Sequence, residues 1–207
     1  MGSNTVPYIL AGAQGLPPLP PATLDPLLDA AARCFARFGI DHTSVPDVAR
    51  ELRVNRATVY RLGGNIEQLK RLLVTREGYR MMAELATRVD APLGPEQLVE
   101  TMTWAITHIR EHPVVARILA GDANSVPHEL FWDVDERIPQ IASLVLPLID
   151  SAISGGHLAR RDPRVVAEWV IRISASLIAV QPEVGTEQFL AEILIPALTP
   201  ARSRKRE

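Results

Sequence analysis

Residues 55–65 read N-R-A-T-V-Y-R-L-G-G-N. Asparagine before such a run is a favoured helix cap, and the residues after it make about two helical turns. The run has no apolar stripe wide enough to hold a helix against a core: Val59 alone is expected to face inward. Arg56, Thr58, Tyr60 and Arg61 then point outward, an arrangement that is costly unless those side chains meet a partner.

The flanking sequence supplies the context. From Asp25 the pattern is helical, with Asp25 expected to cap, Pro26 suited to the first turn, and Leu27, Leu28, Ala31, Cys34, Phe35 and Phe38 at helical spacing before Gly39 stops the run. Ser44-Val45-Pro46-Asp47 is a capping box in its aspartate form, opening a helix whose inward residues are Val45, Val48, Ala49 and Leu52. A turn at Arg53-Val54 leads to Asn55. A second box, Asn65 to Gln68, starts a long helix reaching about Arg88. Three short helices with a tight turn between the second and third make a helix-turn-helix unit, and its third helix is the one shaped to enter a major groove.

Charge is divided along the chain in a way that fits. The net charge is -2, but residues 1–91 carry +2, residues 92–201 carry -7 and residues 202–207 carry +3. A polyanion is therefore expected to meet the N-terminal part. The single cysteine, Cys34, excludes an internal disulfide and a cysteine-based metal cluster, reads as a small core residue, and suits a cytoplasmic protein. No stretch has the roughly 18 uninterrupted apolar residues of a membrane span.

The whole reads as all-α: a disordered Pro-rich arm over 1–22 that is a free, solvated tail, a DNA-binding unit over 23–72, a larger helical ligand-binding and dimerisation domain over 73–201, and a basic tail over 202–207. In the larger domain helices are expected at 95–110, 114–121, 127–154, 163–180 and 186–198. Asp162 and Pro163 open the fourth, whose Val166, Trp169, Val170, Ile173, Leu177 and Val180 form an apolar face that suits a two-fold interface with 187–198. On 95–110, Leu98, Met102, Ala105 and Ile109 form an apolar stripe beside a second of Thr101, Trp104 and His108. With Phe131 and Trp132, that second stripe reads as the lining of a cavity for a small, largely apolar effector, with no inward-facing lysine or arginine to receive an anion.

Residues 43–52 (T-S-V-P-D-V-A-R-E-L), 54–61 (V-N-R-A-T-V-Y-R) and 67–69 (E-Q-L) resemble the DNA-binding domain of the TetR family of transcriptional regulators, and 156–169 is similar to a junction before that family's dimerisation helices. The resemblance implies an all-α homodimer on a palindromic operator in double-stranded DNA, released by a small molecule, with no enzymatic activity and no cofactor. It implies that Ser44 touches a phosphate and that Asn55, Arg56, Thr58, Tyr60 and Arg61 meet DNA. Three positions depart from the family pattern: Arg53 for the usual glycine of the turn, Gly63 for an aromatic residue, and Ile66 for a lysine, whose charge Arg53 could restore. Two alternatives remain from other classes. One is a helical DNA-binding or scaffold dimer without a ligand switch. The other is a metal-dependent hydrolase using His108, Glu111 and His112 of the H-I-R-E-H motif, against which Pro113 reads as a helix stop with His112 serving the last carbonyls.

Overall fold

The computed structural model describes residues 17–89, 93–120 and 134–201. Among the described residues there are only helices. After a 3-10 turn at Ala22–Leu24 they run α1 Asp25–Phe38, α2 Val45–Leu52, α3 Arg56–Gly63, α4 Ile66–Arg88, α5 Pro95–Glu111, α6 Pro113–Leu119, α7 Val134–Ser154, α8 Pro163–Ala179 and α9 Thr186–Leu198. The chain forms two compact units, one from Pro17–Met81 plus the segment from His108, the other from Met82–Thr107 plus the last three helices. The boundary expected at 72/73 thus falls inside α4, and α6 belongs with the helix-turn-helix unit, where it packs on α1.

The local signals act as their chemistry requires. Ser44 N–H donates to the Asp47 carboxylate at 3.1 Å, and the Ser44 hydroxyl donates to the same oxygen. Asn65 and Gln68 exchange bonds, backbone N–H to side-chain oxygen, at 2.8 and 2.9 Å. Asp162 accepts from Arg164 N–H at 2.9 Å at the head of α8. Gly39 ends α1 at φ 91°, a conformation that a side chain would strain. Asp25 departs from expectation: the 3-10 turn places Leu24 at the cap, and the Asp25 carboxylate holds Arg76 instead. The arm's last residues also depart from a free tail, since Pro20 is buried and the Tyr79 hydroxyl donates to Pro17 C=O at 3.2 Å. Residues 1–16 and the basic tail 202–207 lie outside the described residues.

The N-terminal unit packs Leu27, Leu28, Ala31, Cys34, Phe35, Val45, Val48, Ala49, Val59, Leu69 and Val114 into one core, with Leu52 and Ile66 partly buried against it. Phe38 is the exception on α1: it lies at the surface, with the Arg37 guanidinium 5.1 Å from its ring centroid. Burial pushes the Cys34 thiol pKa up, so it stays protonated as a core residue does. The second unit has its own core, to which α5 contributes Leu98, Val99, Met102 and Ile106, whereas Ala105 and Ile109 are only partly buried. The expected stripe was therefore rotated, because α5 buries residues at 98, 99, 102 and 106 rather than the 98, 102, 105, 109 row. On α8, Val166, Val170 and Leu177 are buried and Trp169 and Ile173 partly so, while Val180 sits just past the helix end and is exposed. The 156–169 junction is anchored by fully buried Leu158 and by Ala159 N–H to Leu198 C=O at 2.7 Å.

Candidate nucleic-acid interface

α3 is positioned by very few contacts. Val59 is 0% exposed and Gly63 is buried, while Asn55, Arg56, Tyr60, Arg61 and Leu62 are exposed and Thr58 is partly so. The Asn55 Oδ1 caps the helix by accepting from Thr58 N–H at 2.8 Å and from the Thr58 hydroxyl at 3.0 Å. Asn55 is thus the cap that its place before the run predicts, and Thr58 is its partner in the first turn. Among the described residues no acceptor meets the guanidiniums of Arg56 or Arg61. Two uncompensated cations and a 53% exposed tyrosine on one short helix leave its outer face fitted to phosphates and base edges. Ser44, at the head of α2, is exposed too, with its hydroxyl on Asp47. That contact and the Arg50 pair at 3.1 Å hold the Asp47 carboxyl below the usual range.

The departures at Gly63, which ends α3, and at Ile66, which opens α4, have structural reasons. A Cβ on Gly63 would lie 2.4 Å from Leu69 Cδ2 and 2.8 Å from Leu27 Cδ2, so the space an aromatic residue would need is already filled. Ile66 turns its side chain to that same core, which leaves position 66 without a cation.

Behind the interface, Arg76 of α4 is the buried charge of this unit, with 4% of its side chain exposed. It reaches Asp25 Oδ1 at 3.1 Å, Asp29 Oδ1 at 2.8 Å and Glu77 Oε1 at 2.8 Å. Burial lowers its pKa, but the bonds to Glu77 and Asp25 outweigh that and leave it raised, so it remains charged. His112 lies at the cap of α6, with Nε2 4.0 Å from Glu77 Oε2 and its backbone N–H on Ile109 C=O at 3.2 Å. Its ring faces a carboxylate rather than the last carbonyls of α5. Burial lowers its pKa, Glu77 opposes the shift, and His108 and Arg76 reinforce it. Among the described residues no three His, Cys, Asp or Glu side chains gather as metal ligands, so the H-I-R-E-H spacing assembles no such site there.

The effector residues are distributed differently. Thr101, Trp104 and His108 are partly buried on α5, and Phe131 and Trp132 lie outside the described residues. The Arg88 guanidinium stands over the Trp104 ring, 4.4 Å from its centroid, so the aromatic face expected to meet a ligand already carries a cation. A groove of about 550 Å³ is lined by Thr103 and Thr107 of α5 with Thr186, Glu187 and Gln188, and it includes none of the expected ligand residues. No helix among the described residues is long and apolar enough to cross a membrane.

Helices alone among the described residues, with unpaired arginines displayed on the second helix of a helix-turn-helix, are the arrangement of a helix-turn-helix DNA-binding unit. Residues 27–69 match the family described as bacterial regulatory proteins, tetR family. Over 189 residues the chain is 27% identical to an uncharacterised HTH-type transcriptional regulator of Mycobacterium tuberculosis, covering 88% of this chain and 89% of that one. Its fold is similar to that of a TetR-family transcriptional regulator from Pectobacterium atrosepticum, with a TM-score of 0.67, 18% identity, and 85% and 94% of the two chains covered. It is also similar to a chain solved in work on the control of antibiotic production by a bacterial hormone, with a TM-score of 0.65, 21% identity, and 85% and 97% covered. Residues 27–69 thus carry the DNA-binding domain typical of tetR-family regulators, and the chain as a whole has the fold of the TetR-family regulators it resembles.

Proposed function

We propose that this regulator is a cytoplasmic, homodimeric repressor that holds a palindromic operator and releases it when a small molecule binds the C-terminal part. The observation that carries the DNA reading is α3 itself, with one buried anchor, Val59, under exposed Arg56, Tyr60 and Arg61. Dimerisation is supported by Val165, Val180, Val184, Phe189 and Ile193, large apolar side chains left exposed on and between α8 and α9. Two α3 helices would then enter successive major grooves about 34 Å apart.

Selection of bound fragments from the source genome, footprinted at fixed salt, tests this directly: an inverted repeat is expected, and its absence overturns the operator reading. On that repeat, Arg56→Ala is expected to relax base preference at one position per half-site, at about 1–3 kcal/mol. Tyr60→Phe, if the hydroxyl meets phosphate, weakens repeat and random duplex alike. Equal losses on both duplexes for Arg56→Ala would reassign Arg56 to the backbone.

The effector reading rests on Thr101 and Trp104, partly buried on α5, and on a fold shared with a protein from the hormone work. A largely apolar molecule with one or two hydrogen-bonding groups suits them, since Arg88, which covers the Trp104 ring, is itself exposed and brings no inward cation to an acidic group. To reverse DNA binding almost completely, the ligand must favour the released state by about 5.5 kcal/mol. In a thermal-shift screen, hits are expected to stabilise the wild type and lose most of their effect on Trp104→Ala. Hits that stabilise both equally would place the effector elsewhere.

A further inference from the structure

Arg53 stands in the left-handed region at φ 59° and ψ 42°, the one non-glycine residue with positive φ among those described. The turn needs that conformation: Arg53 N–H donates to Arg50 C=O at 3.2 Å and Val54 N–H to Ala49 C=O at 2.9 Å, closing the end of α2. Glycine would adopt it freely, whereas an arginine adopts it against the steric preference of its Cβ. Nothing inside the fold offsets that strain. The Arg53 side chain is exposed, and among the described residues no carboxylate or carbonyl receives its guanidinium, although neighbouring Arg50 is paired with Asp47 and Arg33 with Glu51. A residue that breaks a local rule without a compensating contact points to a gain outside the folded chain. Arg53 lies two residues before the cap of α3, beside exposed Arg56, so the partner within reach is the one α3 meets.

We propose that Arg53 is a DNA phosphate-binding residue, held in a strained turn because its charge is needed there, and that it supplies the cation that Ile66 does not. The inference rests on the DNA-binding reading and adds a trade between stability and affinity. Arg53→Gly is expected to raise Tm by about 2–4 °C as the strain is relieved. The same change should weaken binding to the selected repeat and to a random duplex by the same factor, and lower the slope of log K against log salt by about 0.9 per subunit. Arg53→Lys, which keeps charge and strain, should retain the wild-type slope and Tm. A wild-type slope in Arg53→Gly overturns the assignment, as does a slope lost equally in Arg53→Lys. If the wild type binds neither duplex, the DNA-binding reading itself fails, which is distinct from a wild type that binds and a glycine variant that binds equally well.

Discussion

Gly63→Tyr is expected to destabilise the helix-turn-helix unit by about 3 kcal/mol, even though it installs the kind of residue the family favours at that position. The Cβ alone would lie 2.4 Å from Leu69 and 2.8 Å from Leu27, and both leucines are buried within a close-packed core. Gly63→Ala should cost much less, because overpacking of about 1–3 kcal/mol is offset by about 1 kcal/mol of helix propensity. Urea unfolding measures both. The diagnostic variant is Leu69→Ala combined with Gly63→Tyr, which should be more stable than the sum of the single losses, since the ring can occupy the space the leucine leaves. Additive losses, or a tyrosine variant that unfolds at the wild-type midpoint, would show that Leu27 and Leu69 are not what excludes a side chain here.

Arg76→Met is the second large effect, an expected loss of about 2–4 kcal/mol. Methionine keeps much of the buried volume but removes the one cation that all three of Asp25, Asp29 and Glu77 share, leaving the half-exposed Arg80 on Asp25 and Glu77. The loss stays below that of a fully buried pair, because those carboxylates are 40%, 49% and 27% exposed and can rehydrate. Arg76→Lys should recover only part of it, since one ammonium cannot reproduce the planar fork that reaches three carboxylates and the Asp25 carbonyl. If Arg76→Met proves as stable as the wild type in urea at neutral pH, the cluster contributes nothing net to the fold. Because α1 and α4 are the helices joined, the variant should also lose DNA affinity at temperatures where it is still mostly folded.

What the sequence disclosed was local. Ser44 with Asp47, Asn55, Asn65 with Gln68, and Asp162 announce helix starts because each cap satisfies backbone groups within three residues, so spacing alone identifies it. The outward set Arg56, Tyr60 and Arg61 was legible for the same reason: on a helix with one apolar anchor, everything else faces away. Arg76 and Asp25 were not legible as a pair, being 51 residues apart, and Asp25 was misread as a cap because an acidic residue before proline suits either role. Gly63 looked like a defect until Leu27 and Leu69 were seen to fill its surroundings. The α5 stripe was misplaced because its apolar residues fit two helical rows, and only packing chooses between them. The Arg88–Trp104 contact was hidden too, since nothing in either residue's neighbourhood points to the other.

The bonds from Thr58 to Asn55 Oδ1 bear on the timing of recognition. With both the backbone N–H and the hydroxyl of Thr58 already satisfied, the first turn of α3 is ordered before any nucleic acid arrives. Conformational entropy that a disordered reading segment would surrender on contact is here surrendered during folding. Encounter can then proceed as the docking of a preformed surface, its rate governed by diffusion and the electrostatic field of the exposed arginines rather than by a slow search for helical structure.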